Sequence, residues 1–336
     1  MSTADRPRVL VTIPMFDGVL ATLREAFDVD VVGDAPLEDP AALAARAQGC
    51  AGLIVAGTPR IDAALLAACP SIKAVCSMAV GFNNIDLPAC TAAGVLVSNA
   101  PDVLTETTAD FGFALMMATA RRITESEHFL RAGQWTQWRY DLFAGADVHG
   151  ATLGVLGMGR IGQAIARRGA LGFGMPVIYH NRSRLDGATE QALGACWVGK
   201  DDLLRQADHL VIVVPYSPAS HHLVGAAELA LMKPAATLTN IARGGVVDDA
   251  ALADALRQRR IAAAGLDVFE GEPAVHPGLL GLANVVLTPH IASASLPTRR
   301  AMADLAARNL LAALGLGPEA GRPPTALNPQ VLAAVR

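Results

Sequence analysis

The chain has 336 residues, 52% of them hydrophobic but only 4% aromatic, and a formal net charge of −4. That length accommodates two domains with a substantial core, and the mildly acidic balance with scattered basic residues excludes an electrostatic footprint for nucleic acid. The apolar segments at 9–13, 111–120 and 277–298 are too short or too broken by polar residues and prolines to be a signal peptide or a membrane span.

From the N-terminus, residues 8–13 (RVLVTI) read as a strand, followed by a helix that ends near Phe27. Further short strands are predicted at 29–32, 53–55, 73–77 and 95–97, with helices at 40–48, 61–68 and 87–93. This alternation predicts a parallel α/β unit that has no phosphate-binding glycine pattern of its own. Between the strand at 73–77 and the next helix lies Ala79-Val80-Gly81-Phe82-Asn83-Asn84. A polar, glycine-containing loop at a strand's carboxyl end is where open α/β sheets bind ligands, the alternative being a plain turn.

Asn99-Ala100-Pro101 reads as a crossing between domains. A long helical stretch follows, in which Thr107-x-x-Asp110 resembles a capping box. Trp135, Trp138 and Tyr140 then fall within six positions. Clustered aromatics outside regular structure point to a subunit interface or a pocket wall, or else to local packing.

The stretch 152–184, TLGVLGMGRIGQAIARRGALGFGMPVIYHNRSR, reads as strand, tight turn, helix and second strand. Gly157, Gly159 and Gly162 fit G-x-G-x-x-G, the dinucleotide fingerprint: a tight turn, a close backbone approach to a pyrophosphate, and close helix–strand packing. The amides at the helix start then hold the phosphates. An NAD site usually places a carboxylate about 20 positions on, for the ribose hydroxyls. Here that place is His180-Asn181-Arg182-Ser183-Arg184, and no carboxylate comes before Asp186. Arginines with a hydroxyl and an amide suit a 2′-phosphate. The pattern therefore predicts NADP(H) as the preferred cofactor, with NAD(H) as the lesser alternative.

Strands recur at 210–214, 236–240, 263–267 and 285–288, and Asp248 is placed to cap a helix at 249–259. A final amphipathic helix, 297–314, is predicted to pack back on the N-terminal domain. The expected division is 1–101 plus 291–336 for a substrate-binding, flavodoxin-like domain and 102–290 for a cofactor domain. Both are read as doubly wound parallel sheets, with a cleft between them. Arg243, Glu272 and His290 each follow a predicted strand, so the three converge at the carboxyl ends of one sheet. Arginine holds a carboxylate and polarises a carbonyl, and histidine exchanges a proton near neutral pH. A glutamate beside it fixes the imidazole tautomer and favours its protonated form. The other histidines (128, 149, 180, 209, 221, 222 and 276) have no comparable setting in the sequence. Five scattered cysteines (50, 69, 76, 90, 196) form no C-x-x-C or metal-ligand spacing, which predicts reduced thiols and a cytoplasmic location.

The segments AVGFNNID (79–86), TETTADF (105–111), LGVLGMGRIGQAIARR (153–168), NIARGGVVDDAAL (240–252), GLDVFEGEP (265–273) and LTPHIASAS (287–295) resemble, in order and spacing, the D-isomer-specific 2-hydroxyacid dehydrogenases. Within that family the chain is most similar to the glyoxylate/hydroxypyruvate reductases, including the 2-ketogluconate reductase branch, whose tail resembles LNPQV (327–331). The resemblance implies that Arg243, Glu272 and His290 are catalytic, with His290 as acid/base and Glu272 as its partner. It implies that the amides of Val80 and Gly81, with Arg243 and Ser293, meet the substrate carboxylate. Thr108, Arg160, Ile161, Val214, Pro215, Ile241, Ala242, Asp267, His290 and Ala292 take cofactor-lining positions, beside the glycines and Asn181, Arg182 and Ser183. A homodimer formed through the cofactor domains is also implied, as are small 2-oxo acid substrates; charge, hydropathy and cysteine spacing lead to the expectation of no metal, nucleic-acid or membrane partner. Three departures bear on the substrate: Phe82-Asn83 where relatives often have Tyr-Asp, Ala292 where glycine is usual, and Leu142 where some reductases have an aromatic residue. The competing readings are a phosphite dehydrogenase of the same superfamily and a non-catalytic dinucleotide-sensing scaffold of the corepressor kind. Glu272 argues against formate dehydrogenases, which pair the histidine with glutamine.

Overall fold

The computed structural model describes residues 6–33, 37 and 39–333. These fall into two compact units: the described residues up to Leu104 with those from Ser295 onward, and Thr105–Ala294. Residues 1–5 and 334–336, expected in the first domain, lie outside the described residues.

The first unit opens with β1 (Arg8–Val11), α1 (Asp17–Ala26), β2 (Asp28–Val31), α2 (Pro40–Ala47) and β3 (Gly52–Val55). It continues with α3 (Ala63–Ala68), β4 (Ala74–Ser77), α4 (Leu87–Ala92) and β5 (Leu96–Ser98). The strands form one sheet in the order β2-β1-β3-β4-β5, and every pairing is parallel. That is the flavodoxin-like order. β3 and β4 are buried at every position, Ser77 included, as strands covered by helices on both faces require. Asp39, Asp62 and Asp86 cap α2, α3 and α4 by accepting backbone amides. The Asp62 cap explains why α3 begins at Ala63 rather than at Ile61, which instead forms a parallel bridge with Ile85.

The second unit begins with α5 (Thr105–Ala120) and α6 (Ile123–Arg131), which part at Arg122 in the left-handed region, φ 55°. The expected capping box at Thr107 is not formed, because α5 starts two residues earlier. Asp110 turns instead to Arg168 at 2.6 Å on α7, so packing rather than a local cap holds this end. Then come β6 (Leu153–Leu156), α7 (Arg160–Phe173), β7 (Val177–His180), α8 (Gly187–Leu193), β8 (Ala195–Trp197), α9 (Lys200–Gln206) and β9 (His209–Ile212). The unit closes with α10 (Ala226–Leu231), β10 (Thr237–Asn240), α11 (Asp249–Arg257), β11 (Ala263–Leu266), α12 (Pro277–Leu280) and β12 (Val285–Leu287). The short strand β8, an apolar run set between Gly194 and Gly199, was not among the strands expected from the sequence. The sheet order is β12-β11-β10-β9-β6-β7-β8, all parallel, the doubly wound dinucleotide-binding order with its reversal between β6 and β9.

The chain returns to the first unit through α13 (Leu296–Ala313), capped by Ser295 and packed on α1, β3 and β4, and ends with α14 (Gln330–Ala333). Asn328, in the LNPQV tail, is buried. It accepts from the Val97 amide at 2.7 Å and donates to the Val95 carbonyl at 2.9 Å, which ties the tail to β5. Among the described residues no helix is long and apolar enough to cross a membrane.

Candidate active site

The turn after β6 places its glycines as a phosphate cradle requires. Gly157 has φ +104°, and a Cβ there would lie 2.8 Å from the Val213–Val214 backbone. A Cβ on Gly162 would lie 2.2 Å from the Gly157 carbonyl oxygen, so α7 approaches the strand only because that atom is missing. Gly159, in contrast, faces open space, with nothing within 4 Å of an added Cβ, and α7 begins without a side-chain cap. An uncapped helix start beside open space at the sheet's reversal point fits a dinucleotide pyrophosphate. One turn of α5 supplies a second sign of fit. The Thr108 hydroxyl is buried with no hydrogen-bond partner among the described residues, and such orphans are uncommon unless something else satisfies them.

The loop after β7 divides its polar groups sharply. Asn181 Oδ1 accepts from the Met158 amide at 2.6 Å and so braces the glycine turn. Arg184 is committed to Glu190 through two hydrogen bonds, at 2.7 and 2.8 Å, and Glu190 also accepts from Tyr179 at 2.7 Å. Arg184 is thus spent on packing, contrary to the expectation of two available arginines. Asp186 is spent as well, accepting from the Thr189 amide and hydroxyl to cap α8. Arg182 and Ser183 remain exposed and unpaired among the described residues. The carboxyl edge of β7 therefore carries one uncommitted guanidinium and no uncommitted carboxylate.

Arg243, Glu272 and His290 lie beyond β10, β11 and β12, the neighbouring strands whose carboxyl ends share one edge. Asn240 shapes the Arg243 turn by accepting from the Ala242 amide at 3.0 Å, and Arg243 Nη1 donates to the Ala242 carbonyl at 2.7 Å. Gly244 lets this turn press on the next loop, since a Cβ there would lie 1.7 Å from the Phe269 carbonyl oxygen. The next loop is anchored by buried Asp249, which accepts from the Glu270 amide at 3.0 Å. Glu272 accepts from the Phe269 amide through Oε1 at 2.8 Å and meets His290 Nδ1 through Oε2 at 2.7 Å. His290 itself has φ +53°, a conformation unusual for a non-glycine residue. It is held by Asp267, fully buried, which accepts from the Thr288 hydroxyl (2.7 Å) and the amides of Ile291 (2.9 Å) and Ala292 (2.8 Å). Sequence reasoning marked Asp267 only as lining a cofactor; its hold on the His290 turn needed the fold.

The electrostatics follow from burial and pairing. Burial would push the Glu272 carboxyl up, but the His290 hydrogen bond and charge, the Phe269 amide and Arg243 together hold it below the usual glutamate range. Burial draws the Arg243 pKa down and Glu272 opposes that, while an arginine remains charged at neutral pH. With Nδ1 engaged by a carboxylate, His290 presents Nε2 as the free ring nitrogen, suited to exchanging a proton with an oxygen in front of it.

The remaining predicted residues fall as follows. Val214, Pro215, Ile241 and Ala242 follow β9 and β10, the last two buried, and Arg160 and Ile161 begin α7. Ser293 is half-buried on the His290 turn. In the first unit, Val80 and Gly81 follow β4; the Val80 carbonyl accepts from Asn99 at 2.8 Å, and neither amide donates to a described residue. Phe82 packs on the core of that unit, as its apolar ring demands. Trp135, Trp138 and Tyr140 are 54%, 74% and 93% exposed, which excludes local packing as their explanation. His221 and His222, for which the sequence offered no setting, lie with Glu270 in a cluster of their own.

Residues 113–292 match the NAD binding domain of the D-isomer specific 2-hydroxyacid dehydrogenases. The chain is 45% identical over 331 residues to the glyoxylate reductase of Thermococcus onnurineus, covering 97% of each protein. It is 46% identical over 313 residues to that of Aeropyrum pernix, covering 91% of this chain and 92% of the relative. Its structure is similar to that of the NADPH-dependent glyoxylate/hydroxypyruvate reductase of Sinorhizobium meliloti in complex with NADP and malonate, with TM-score 0.85, 37% identity, and coverage of 97% and 98%. It also resembles the TT0316 protein of Thermus thermophilus, with TM-score 0.86, 40% identity, and coverage of 95% and 99%.

Proposed function

The chain belongs to the D-isomer-specific 2-hydroxyacid dehydrogenase family and is an oxidoreductase with an NAD-binding domain, and from that premise we propose that it is an NADPH-preferring reductase of small 2-oxo acids. Glyoxylate and hydroxypyruvate are the proposed substrates, 2-ketogluconate a larger candidate, and the product the D-2-hydroxy acid. The observation that carries the reading is the 2.7 Å pair of His290 and Glu272 on strand ends adjoining Arg243, beside an open glycine turn.

A dinucleotide held by its pyrophosphate at that turn would supply, from its reduced nicotinamide, the hydride for the carbonyl carbon. Arg243 holds the carboxylate and draws charge toward the carbonyl oxygen. His290 gives that oxygen its proton from Nε2, and Glu272, ionised, keeps the ring oriented and favours its protonated form. In the first unit, the undonated amides of Val80 and Gly81 are proposed to receive the substrate carboxylate, and Ser293 to add a hydroxyl contact. Thr108, Arg160, Ile161, Val214, Pro215, Ile241, Ala242, Asp267 and Ala292 are proposed to line the cofactor. The preference for NADPH is supported by Arg182 and Ser183 standing uncommitted where a carboxylate would read a ribose diol, Asp186 and Glu190 being engaged elsewhere. A homodimer through the second unit is proposed, with the exposed Trp135, Trp138 and Tyr140 as its contact surface.

The test is oxidation of NADPH and NADH by the purified protein against glyoxylate, hydroxypyruvate, pyruvate and 2-ketogluconate. Rapid NADPH oxidation with glyoxylate or hydroxypyruvate is expected. No oxidation with any of the four, despite tight NADPH binding, would overturn the reading.

A further inference from the structure

In the loop two residues before Glu272, and in the turn at 221–222, the second unit gathers three exposed side chains with the chemistry of a cation site. One ring nitrogen each of His221 and His222 and a carboxylate oxygen of Glu270 lie within 4.8 Å of one another. The two imidazoles are stacked, with centroids 3.9 Å apart and planes 22° apart, and His222 Nε2 is 2.9 Å from Glu270 Oε2. Two neighbouring imidazoles against one carboxylate are not what an ordinary surface ion pair requires.

The groups behind the rings are equally specific. Asp248 Oδ2 stands 3.8 Å from His222 Nδ1, and the Tyr216 hydroxyl is 3.2 Å from His221 Nδ1. Each ring thus has Nδ1 toward an outer partner, and Nε2 of His222 points to Glu270, where a shared ion would replace the direct hydrogen bond. A carboxylate or hydroxyl behind a histidine is the arrangement that fixes tautomer and ring orientation at metal centres. The backbone is also specialised: His222 has φ +49°, and its amide donates to the Gly245 carbonyl at 2.7 Å. Gly245 lies beneath the cluster, where an added Cβ would come 3.2 Å from the Tyr216 ring and 3.3 Å from His221 Nδ1.

We propose that His221, His222 and Glu270 form a binding site for a divalent transition-metal ion of the Zn²⁺ class, with Asp248 and Tyr216 orienting the two imidazoles. Two imidazole nitrogens and one carboxylate oxygen suit zinc, cobalt or nickel, and not magnesium or calcium, which take oxygen ligands. Three protein ligands leave a position for water. In a tetrahedral site the ligand atoms stand about 3.3 Å apart, a closure that exposed side chains reach by small rotations. The site takes no part in the reductase chemistry proposed above and does not depend on it.

The experiment uses full-length, untagged protein stripped with a chelator and titrated with Co²⁺, read by its visible absorption and by competition with Zn²⁺. Saturation at one equivalent is expected. H221Q and E270Q, both at exposed positions, should weaken Co²⁺ binding by at least roughly tenfold, and D248N, which keeps a helix-capping side chain, by about tenfold. NADPH binding by each variant should match the parent, which separates loss of the site from loss of the fold. No Co²⁺ binding by the parent, or parent-like binding by the H221Q/H222Q double variant, overturns the proposal.

Discussion

Arg243 and Arg182 are both arginines beyond strand ends of one sheet, yet their surroundings give them different tasks. Arg243 is half-buried and bonded to its own turn, which fixes the direction of its charge. Arg243→Ala is expected to lower kcat/KM for 2-oxo acids by roughly 10²–10³-fold, as removal of an oriented charge does at such sites; a near-parental value in steady-state assays would refute its role. Arg182 is exposed and uncommitted. Arg182→Ala should raise the Kd for NADPH about tenfold or more, the scale of one lost charge-assisted contact, and leave that for NADH nearly unchanged. Equal losses, measured by fluorescence titration, would end the 2′-phosphate reading. At this scale residue identity was legible and commitment was not. Arg182 and Arg184 look alike in sequence, and only the position of Glu190 on α8 shows that Arg184 is already taken.

Among elements, the turns after β10, β11 and β12 behave as one assembly. Gly244 touches Phe269, Asp249 accepts from Glu270, Glu272 reaches His290, and Asp267 braces the His290 turn. The tightest point is Gly244, so Gly244→Ala must move the 269–272 loop or its own turn. A displacement near 1 Å at a reacting group costs on the order of 10² in rate. The expected outcome is a kcat lowered by about that factor with NADPH affinity little changed, read by combining turnover with cofactor titration; an unaltered kcat would show that the contact is dispensable. Most elements here were legible because each has its own pattern: apolar runs for buried strands, and Asp before a helix for Asp248. Those that departed were decided at a distance. α5 starts before its apparent cap because it packs on α7, and Ile61 leaves its helix to pair with Ile85.

For the whole molecule, stability at low pH rests on carboxylates whose folded pKa values lie below their ordinary ones. Asp30 is the example in the first unit. A hydrogen bond from Arg46 lowers its pKa, burial opposes this, and the Arg46 charge and Arg8 add to the lowering. A depressed carboxylate contributes stability that is complete above its ordinary value of 3.8 and lost as pH falls through the lower folded value. Asp30→Asn should therefore cost roughly 1–2 kcal/mol at neutral pH, the worth of hydrogen bonds to a charged group. That difference should shrink toward zero below pH 3.8, measured as urea midpoints across pH. A constant difference would mean that Asp30 acts by shape alone. Glu190, Asp208 and Glu228 are also held low, by Arg184, by Lys233 against burial, and by Lys200 respectively, so the second unit should lose stability in the same direction.

The alternation of strands and helices, the glycine turn and the candidates Arg243, Glu272 and His290 were legible along the chain, because these depend on local periodicity and on backbone conformations that few residues adopt. The tertiary structure alone decided which charges are free and which are spent, which buried carboxylate braces the His290 turn, and that His221 and His222 meet Glu270 across 48 residues. Hydrogen bonds and ion pairs of that kind depend on distances set by strand order, and strand order is a property of the folded sheet rather than of any segment of the chain.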